Sequence, residues 1–214
     1  MQRLRIRFRR GEEVKFISHL DIMRLWQRAL NRAGISLAYS EGFSPHPRMS
    51  LAAPLAVGIT SEAELMDIVL ATWISPHSFT TVVSQQLPKG IEIMQVYPMV
   101  QTMPSLQSLV RFAEYEVELG TEKGQKDIES AIASLLSLEH LPWQHQRDTG
   151  PRHYDLRTLI DDLRLIDCHD GHCTVGMRLR CDSNGSGRPE QVAVALGLAQ
   201  PQSIHRTKLI LKTS

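Results

Sequence analysis

Long apolar runs are missing from this sequence, and no window approaches the roughly 18 consecutive apolar residues that a membrane-spanning helix needs. The opening residues, Met1-Gln2-Arg3-Leu4-Arg5, also lack the apolar stretch of a signal peptide. The chain is therefore expected in the cytoplasm and away from membranes. Cysteine is scarce: three in 214 residues cannot form a disulfide framework, which agrees with a reducing compartment. There is no Gly-rich phosphate loop, no G-x-S-x-G element and no C-x3-C-x2-C cluster for iron and sulfur. These absences argue against an autonomous redox or nucleotide-hydrolysing enzyme.

What is present is ordinary in bulk and uneven in detail. Apolar residues make up 42% and charged residues 22%, as in a soluble protein able to bury a core. The length suits one large domain or two of about 100 residues. The net charge of +1 conceals a basic opening segment, because residues 1–50 hold ten Lys/Arg against four Asp/Glu. A neutral chain with one positive end can attract a polyanion locally.

Leu4, Ile6 and Phe8 alternate with Arg3, Arg5, Arg7 and Arg9, a period of two that predicts a strand with guanidiniums on one face. Ser18 stands three residues before Asp21, a capping signature, and Ile22, Leu25, Trp26, Ala29 and Ala33 follow at helical spacing. A helix over about 19–33 ends at Gly34. Met49–Ile59 reads as a strand interrupted near Pro54, and 64–72 as its partner. Ser75-Pro76 opens a second helix, and Ile91–Tyr97 closes the unit. Pro98–Ser108, uncharged and holding two prolines, reads as a linker. A second unit of the same order follows: strand 112–119, helix about 126–139, strand 142–147, an inserted hairpin 163–181 turning at Asp170-Gly171, helix 189–199 and strand 204–212. The expectation is an α+β chain of two ferredoxin-like β-α-β-β-α-β halves packed together, residues 1–98 and 109–214.

In that topology the helices cover one sheet face, so Arg3, Arg5, Arg7 and Arg9 should line the other, where RNA-binding modules of this order place their ligand. The strand has no base-stacking aromatics, which favours phosphate contact over base reading. The alternative is a face closed by the second half, with the arginines paired to Glu114, Glu116 and Glu118. Arg24, Arg28 and Arg32 recur every four residues and form a basic row on the first helix. In the loop Tyr39-Ser40-Glu41-Gly42-Phe43-Ser44-Pro45-His46-Pro47-Arg48, two prolines bracket His46 and stiffen the backbone around it. His46 with Arg48 and Tyr39 suits anion binding or proton transfer, and a pairing of His19 with His46 would give a metal-free RNA-cleaving site. Cys168-His169-Asp170-Gly171-His172-Cys173 has metal-binding residue types. A two-residue turn there would set adjacent residues on opposite sheet faces, so no metal site is assigned.

Phe16-Ile17-Ser18-His19-Leu20-Asp21, Arg28-Ala29-Leu30-Asn31-Arg32-Ala33-Gly34, the segment Ala38–Arg48 and Pro54-Leu55-Ala56-Val57-Gly58 closely resemble the radical-SAM-linked proteins, bacterial domains of unknown function. Later anchors are Tyr154-Asp155-Leu156-Arg157 and Ile204-His205-Arg206-Thr207-Lys208. The resemblance implies a domain fused to, or encoded beside, a radical SAM protein and working on RNA or a translation component. S-adenosylmethionine and the iron-sulfur cluster are then expected in that partner, with no cofactor on this chain. The family positions carried here are Ser18, His19, Asp21, Tyr39, Ser40, Gly42, Phe43, Pro45, His46, Pro47 and Arg48; the Cys/His hairpin departs from the pattern. The resulting expectation is a non-catalytic accessory module that binds RNA or a ribonucleoprotein through Arg3, Arg5, Arg7, Arg24, Arg28, Arg32, Tyr39, Ser40, Phe43 and Arg48. The alternatives are an endoribonuclease using His19 and His46, or a structural protein-interaction subunit.

Overall fold

The alternation in the first strand does what its period dictates. In the computed structural model, which describes residues 1–147 and 150–212, β1 (Gln2–Arg10) buries Leu4, Ile6 and Phe8 completely. Over them lies α1 (His19–Arg32), whose N-cap Ser18 accepts the Asp21 backbone N–H through Oγ and donates to its carboxylate at 2.7 Å. Ile22, Trp26, Ala29 and Leu30 form the buried stripe of that helix, and Trp26 meets Phe8 edge to face with ring centroids 5.0 Å apart. Gly34, at φ +71°, turns the chain out of the helix.

The chain divides into two compact units, Met1–Val110 joined by Lys212, and Arg111–Leu211. In the first, the elements after α1 are β2 (Met49–Leu51), β3 (Thr60–Leu70), α2 (Pro76–Ser84), β4 (Ile91–Met99) and the short α3 (Leu106–Leu109). β3 pairs with β1 on one side and β2 on the other, β4 pairs with β1, and every pairing is antiparallel. The strand expected over Met49–Ile59 stops at Leu51, because Pro54 has no N–H to pair and Gly58 adopts φ +90°. The expected linker Pro98–Ser108 is structured instead. Pro98 lies in β4, and Leu106 is fully buried.

The arginine face of β1 is not the bare floor that its alternation suggests. Arg5 is 7% exposed. Its Nε donates to Asp67 Oδ1 at 2.7 Å, and Arg3 reaches Oδ2 of the same carboxylate at 2.7 Å. Arg3 also donates to the carbonyls of Met103 and Pro104. The carboxylate that answers these arginines is therefore Asp67 on neighbouring β3, whereas Glu114 is engaged by Arg178. Register explains the choice, since Arg5 stands directly opposite Asp67. Arg7 is half-buried and Arg9 exposed. Arg10 points the other way, where its guanidinium gathers the carbonyls of Val14 and Ile17 on the approach to α1.

The second unit contains β5 (Val110–Gly120), α4 (Gln125–Ser137), β6 (Pro142–Arg147), β7 (Gly150–Asp155), β8 (Ile160–His169), β9 (His172–Asp182), the two-residue β10 (Gly185–Ser186), α5 (Pro189–Ala195) and β11 (Ser203–Leu211). β8 pairs with β9, β9 with β5, and β11 neighbours β5. The expected roles of two segments are exchanged. The hairpin over 163–181 supplies strands of the main sheet, and 142–147 belongs to a separate hairpin in which β6 pairs with β7. Both segments carry strand-forming residues, so local pattern could not rank them; the apolar β9 residues Val175, Met177 and Leu179 mark the buried strand. The anchor Tyr154-Asp155-Leu156-Arg157 has structural work here. Asp155 accepts the backbone N–H groups of Leu141 and Arg157 and pairs with His140, while Arg157 donates to the Leu136 and Leu138 carbonyls at the end of α4 and to the Ile160 carbonyl at the start of β8.

Two outcomes follow from these pairings. Removing Arg5 leaves Asp67 to Arg3 alone in a dry site, so Arg5→Ala should destabilise the protein by about 3 kcal/mol in urea unfolding, and Asp67→Asn by more, because two guanidiniums then lose their countercharge. The Leu141 N–H, followed by the His140 side chain, holds the Asp155 carboxyl below the ordinary carboxylate range. Its stabilisation is complete above the unfolded-state value and disappears as pH falls through the lower folded value. The stability gap between wild type and Asp155→Asn should thus be constant near neutrality and close on acidification below about pH 4 in pH-dependent melting.

Candidate functional site

The loop after α1 is closed by its own backbone. Ser40 N–H donates to the His46 carbonyl at 2.9 Å, His46 N–H returns to Ser40 Oγ at 3.0 Å, and Arg48 N–H meets the Ala38 carbonyl at 2.8 Å. Tyr39 bridges Pro47, and Gly42 takes φ +117° at the tip. Ser40 is thereby a latch within the loop. The His46 imidazole stays in solvent, because only its backbone is used. Phe43, at the tip, is fully exposed, and Tyr39 is 47% exposed.

This loop projects from the sheet end at which β1 begins and β3 finishes. Ala38 N–H bonds the Val69 carbonyl, Leu37 bridges Leu70, and Arg48 reaches the Met1 sulfur at 3.7 Å. The segment after β3 comes to the same end: Ala71 N–H bonds the Ser36 carbonyl, and Ile74 exchanges two hydrogen bonds with the Gln2 side chain. Between them Trp73 stands 76% exposed. Sequence reading passed over Trp73, although an indole beside Thr72 and before the Ser75-Pro76 helix start belongs to no apolar stripe. Three exposed rings, Tyr39, Phe43 and Trp73, thus share one end of the unit with Arg48 and His46. Exposed aromatic surface of this kind costs hydration free energy.

The basic row on α1 is on the surface and partly engaged. Arg24 pairs with Asp21, and Arg32, in the last turn, donates to the Gln86 side chain and carbonyl. Asp21 is held below the ordinary carboxylate range by Ser18 first and Arg24 second. Arg28 is exposed between them. Arg32 and the loop lie at the same end of the helix, since the chain leaves α1 directly into Ser36 and Leu37.

His19 lies at the opposite end. It follows β1 through a segment fixed by Gly58 N–H to Lys15 carbonyl and by Arg10 to the Ile17 carbonyl, beside the Arg10–Ser61 pair of the sheet. Arg48, two residues beyond His46, reaches Met1 and accepts the Val69 N–H, so the full length of β1, roughly 27 Å of extended strand, separates the two ends. The structure places His19 and His46 at opposite ends of the unit and does not bring them together. The His19 end has its own character. Phe16, Leu20 and Val57 are 72%, 65% and 56% exposed, and the Phe16 ring comes within 3.9 Å of the Cβ position of Gly58.

In the second unit, Asp170 and Gly171 both take positive φ, and the turn sets Cys168 opposite Cys173 and His169 opposite His172, so the two pairs face opposite sides of the hairpin. Burial pushes the Cys173 thiol up, with Cys168 adding to the effect. Among the described residues no group of three or more His, Cys, Asp or Glu is placed to hold a metal ion, and no helix is long and apolar enough to cross a membrane.

No curated protein matches the chain in sequence. In fold it is similar to a chain in the crystal structure of a Cbf5-Nop10-Gar1 complex, at TM-score 0.52 and 9% identity, over 96% of this chain and 48% of that one. A chain in the structure of an H/ACA RNP bound to a substrate RNA containing 2'-deoxyuridine gives TM-score 0.50 and 9% identity, over 96% and 47%. The chain thus spans about half the length of the solved chains it matches, and the likeness concerns the mixed α+β fold alone. One family model covers residues 3–189, and on that match the chain belongs to the bacterial family described as "Uncharacterized protein conserved in bacteria (DUF2344)".

Proposed function

We propose that this chain is a non-catalytic accessory module of a cytoplasmic radical SAM system, holding RNA or a ribonucleoprotein substrate while the radical SAM partner carries S-adenosylmethionine, the iron-sulfur cluster and the chemistry. Each unit is read as a ferredoxin-like half, the second enlarged by the β6–β7 hairpin. The observation that carries the proposal is the cluster of exposed Tyr39, Phe43 and Trp73 beside Arg48 at one end of the first unit. Unpaired bases present π faces that stack on such rings, and a neighbouring guanidinium meets the phosphates between them. Arg28 and Arg32 continue the positive surface along α1. The buried Arg3 and Arg5 are assigned to the framework, which moves the ligand from the strand face to the sheet end.

The other end supports the partner half of the proposal. Phe16, Leu20 and Val57 present apolar surface, bordered by the Lys15 ammonium over the Phe16 ring at 5.3 Å and by the paired Asp21 and Arg24, a mixture that suits a protein contact better than a nucleic acid. Two motif segments of the radical-SAM-linked resemblance, Phe16–Asp21 and Ala38–Arg48, thereby fall on two separate ends. One solved chain of similar fold comes from an RNP bound to a substrate RNA by its own description, which agrees with the proposal by analogy only.

The proposal is tested by titrating single-stranded RNA into the purified chain. Phe43→Ala and Trp73→Ala should each weaken binding about 5- to 150-fold, the range of one lost stacking contact. Arg48→Ala should lower the slope of log affinity against log salt by about one. Phe16→Asp with Leu20→Asp should abolish co-purification with the radical SAM partner and leave RNA affinity in place. A salt-independent titration, or aromatic variants that bind RNA like wild type, would overturn the nucleic-acid assignment.

A further inference from the structure

The second unit contains a cleft that none of this uses. It opens between β6, β7 and the segment Asn184–Arg188, has a volume of about 110 Å³, and is lined by His145, Arg152, Tyr154, Asn184, Ser186 and Arg188, among others. Its walls are built for close approach: a Cβ on Gly185 would stand 2.6 Å from Leu159 Cδ2, and one on Gly187 would stand 2.9 Å from Leu179 Cβ and 3.0 Å from the Leu159 carbonyl oxygen. Neither glycine adopts positive φ, so space, not backbone freedom, requires them. The segment is thereby pressed onto Leu159, and Gly187 N–H is tied to the Arg180 carbonyl at 2.9 Å.

The polar lining favours an anion. Arg152 and Arg188 bring two guanidiniums, neither of which forms an ion pair among the described residues. Arg188 Nη1 lies 3.2 Å from His145 Nε2. Arg152 lies over the Tyr154 ring at 5.8 Å, and the Tyr154 hydroxyl donates to buried Gln191, which anchors the platform under the cation. Asp155 also borders the cleft, but its oxygens are already taken by the Leu141 and Arg157 N–H groups and by His140. The surplus charge is positive, and the nearby Ser186 hydroxyl and Asn184 amide supply neutral donors.

We propose that this cleft binds a terminal phosphate, the phosphomonoester carried by a nucleoside monophosphate or by the 5′ end of an RNA strand. A phosphomonoester offers three terminal oxygens and up to two charges, which two guanidinium forks and the flanking donors can match; a carboxylate offers fewer acceptors and one charge. No residue of the first unit takes part, so this site stands whether or not the aromatic end binds RNA.

The test is calorimetric titration of the full chain with inorganic phosphate, adenosine 5′-monophosphate, and one short oligoribonucleotide in 5′-phosphorylated and 5′-hydroxyl forms. The phosphorylated probes should bind, and Arg152→Ala and Arg188→Ala should each weaken them at least about tenfold, the loss of a hydrogen bond to a charged group. Arg188→Lys should recover part of the loss, and inorganic phosphate, which has no base to stack on the aromatic end, should lose affinity in Arg152→Ala and Arg188→Ala as the nucleotide does. Equal affinity for the mononucleotide and the phosphorylated strand identifies a free nucleotide as the ligand; tighter binding of the strand identifies an RNA end. Failure of every phosphorylated probe to bind would overturn the assignment, as would binding that is unmoved in an Arg152→Ala/Arg188→Ala variant with wild-type urea midpoint.

Discussion

Arg5 grips both oxygens of Asp67 and Arg3 shares Oδ2 with it in the middle of the first unit's sheet, and much of the architecture follows from the need to satisfy that triad away from water. A lone buried charge is prohibitive, so β1 and β3 are stable together only in the register that sets Arg5 against Asp67. That register places Leu4, Ile6 and Phe8 on the opposite face, under α1. Two guanidiniums exceed one carboxylate, and the Met103 and Pro104 carbonyls take the remaining Arg3 donors. The segment after β4 is thereby fastened to the sheet centre rather than left as a tether.

With the centre committed to support, the surfaces available for binding lie at the sheet ends. One end is ringed with aromatic side chains and cations, the other is apolar, and the two are built from different loops on the same rigid strands. Loops that protrude from a fixed sheet can vary their chemistry without disturbing the core, which is why ligand contacts gather there. The latch between Ser40 and His46 shows how the chain holds such a loop in shape without burying it: the backbone groups are paired internally, and the rings of Tyr39 and Phe43 are left outward.

Much of the fold was legible in the sequence because it depends on local periodicity. The two-residue alternation of β1, the Ser18 cap, the Gly34 stop and the Asp170-Gly171 turn each have one physical solution, and each takes it. What was not legible depends on distant partners. The arginine row looks the same whether it meets a ligand or Asp67, and only register separates the two. The segments 142–147 and 163–181 look alike as hairpin strands until their neighbours are known. Trp73 escaped notice because an isolated aromatic has no period. The separation of His19 from His46 could have been inferred, since a helix that begins at one end of a strand and runs back along it must carry its two termini to opposite ends.

That last point gives α1 a role beyond covering the core. Fourteen residues at 1.5 Å each make a rod of about 21 Å with the apolar end at its start and the aromatic end at its finish. Since Trp26 is wedged against Phe8, the rod can neither slide nor rotate on the sheet. On the proposed function, a protein seated on one end and a strand held at the other would then be spaced by a fixed ruler. Both can be engaged at once, neither blocks the other, and the reach between them is set by helix length, with one added turn lengthening it by about 5.4 Å.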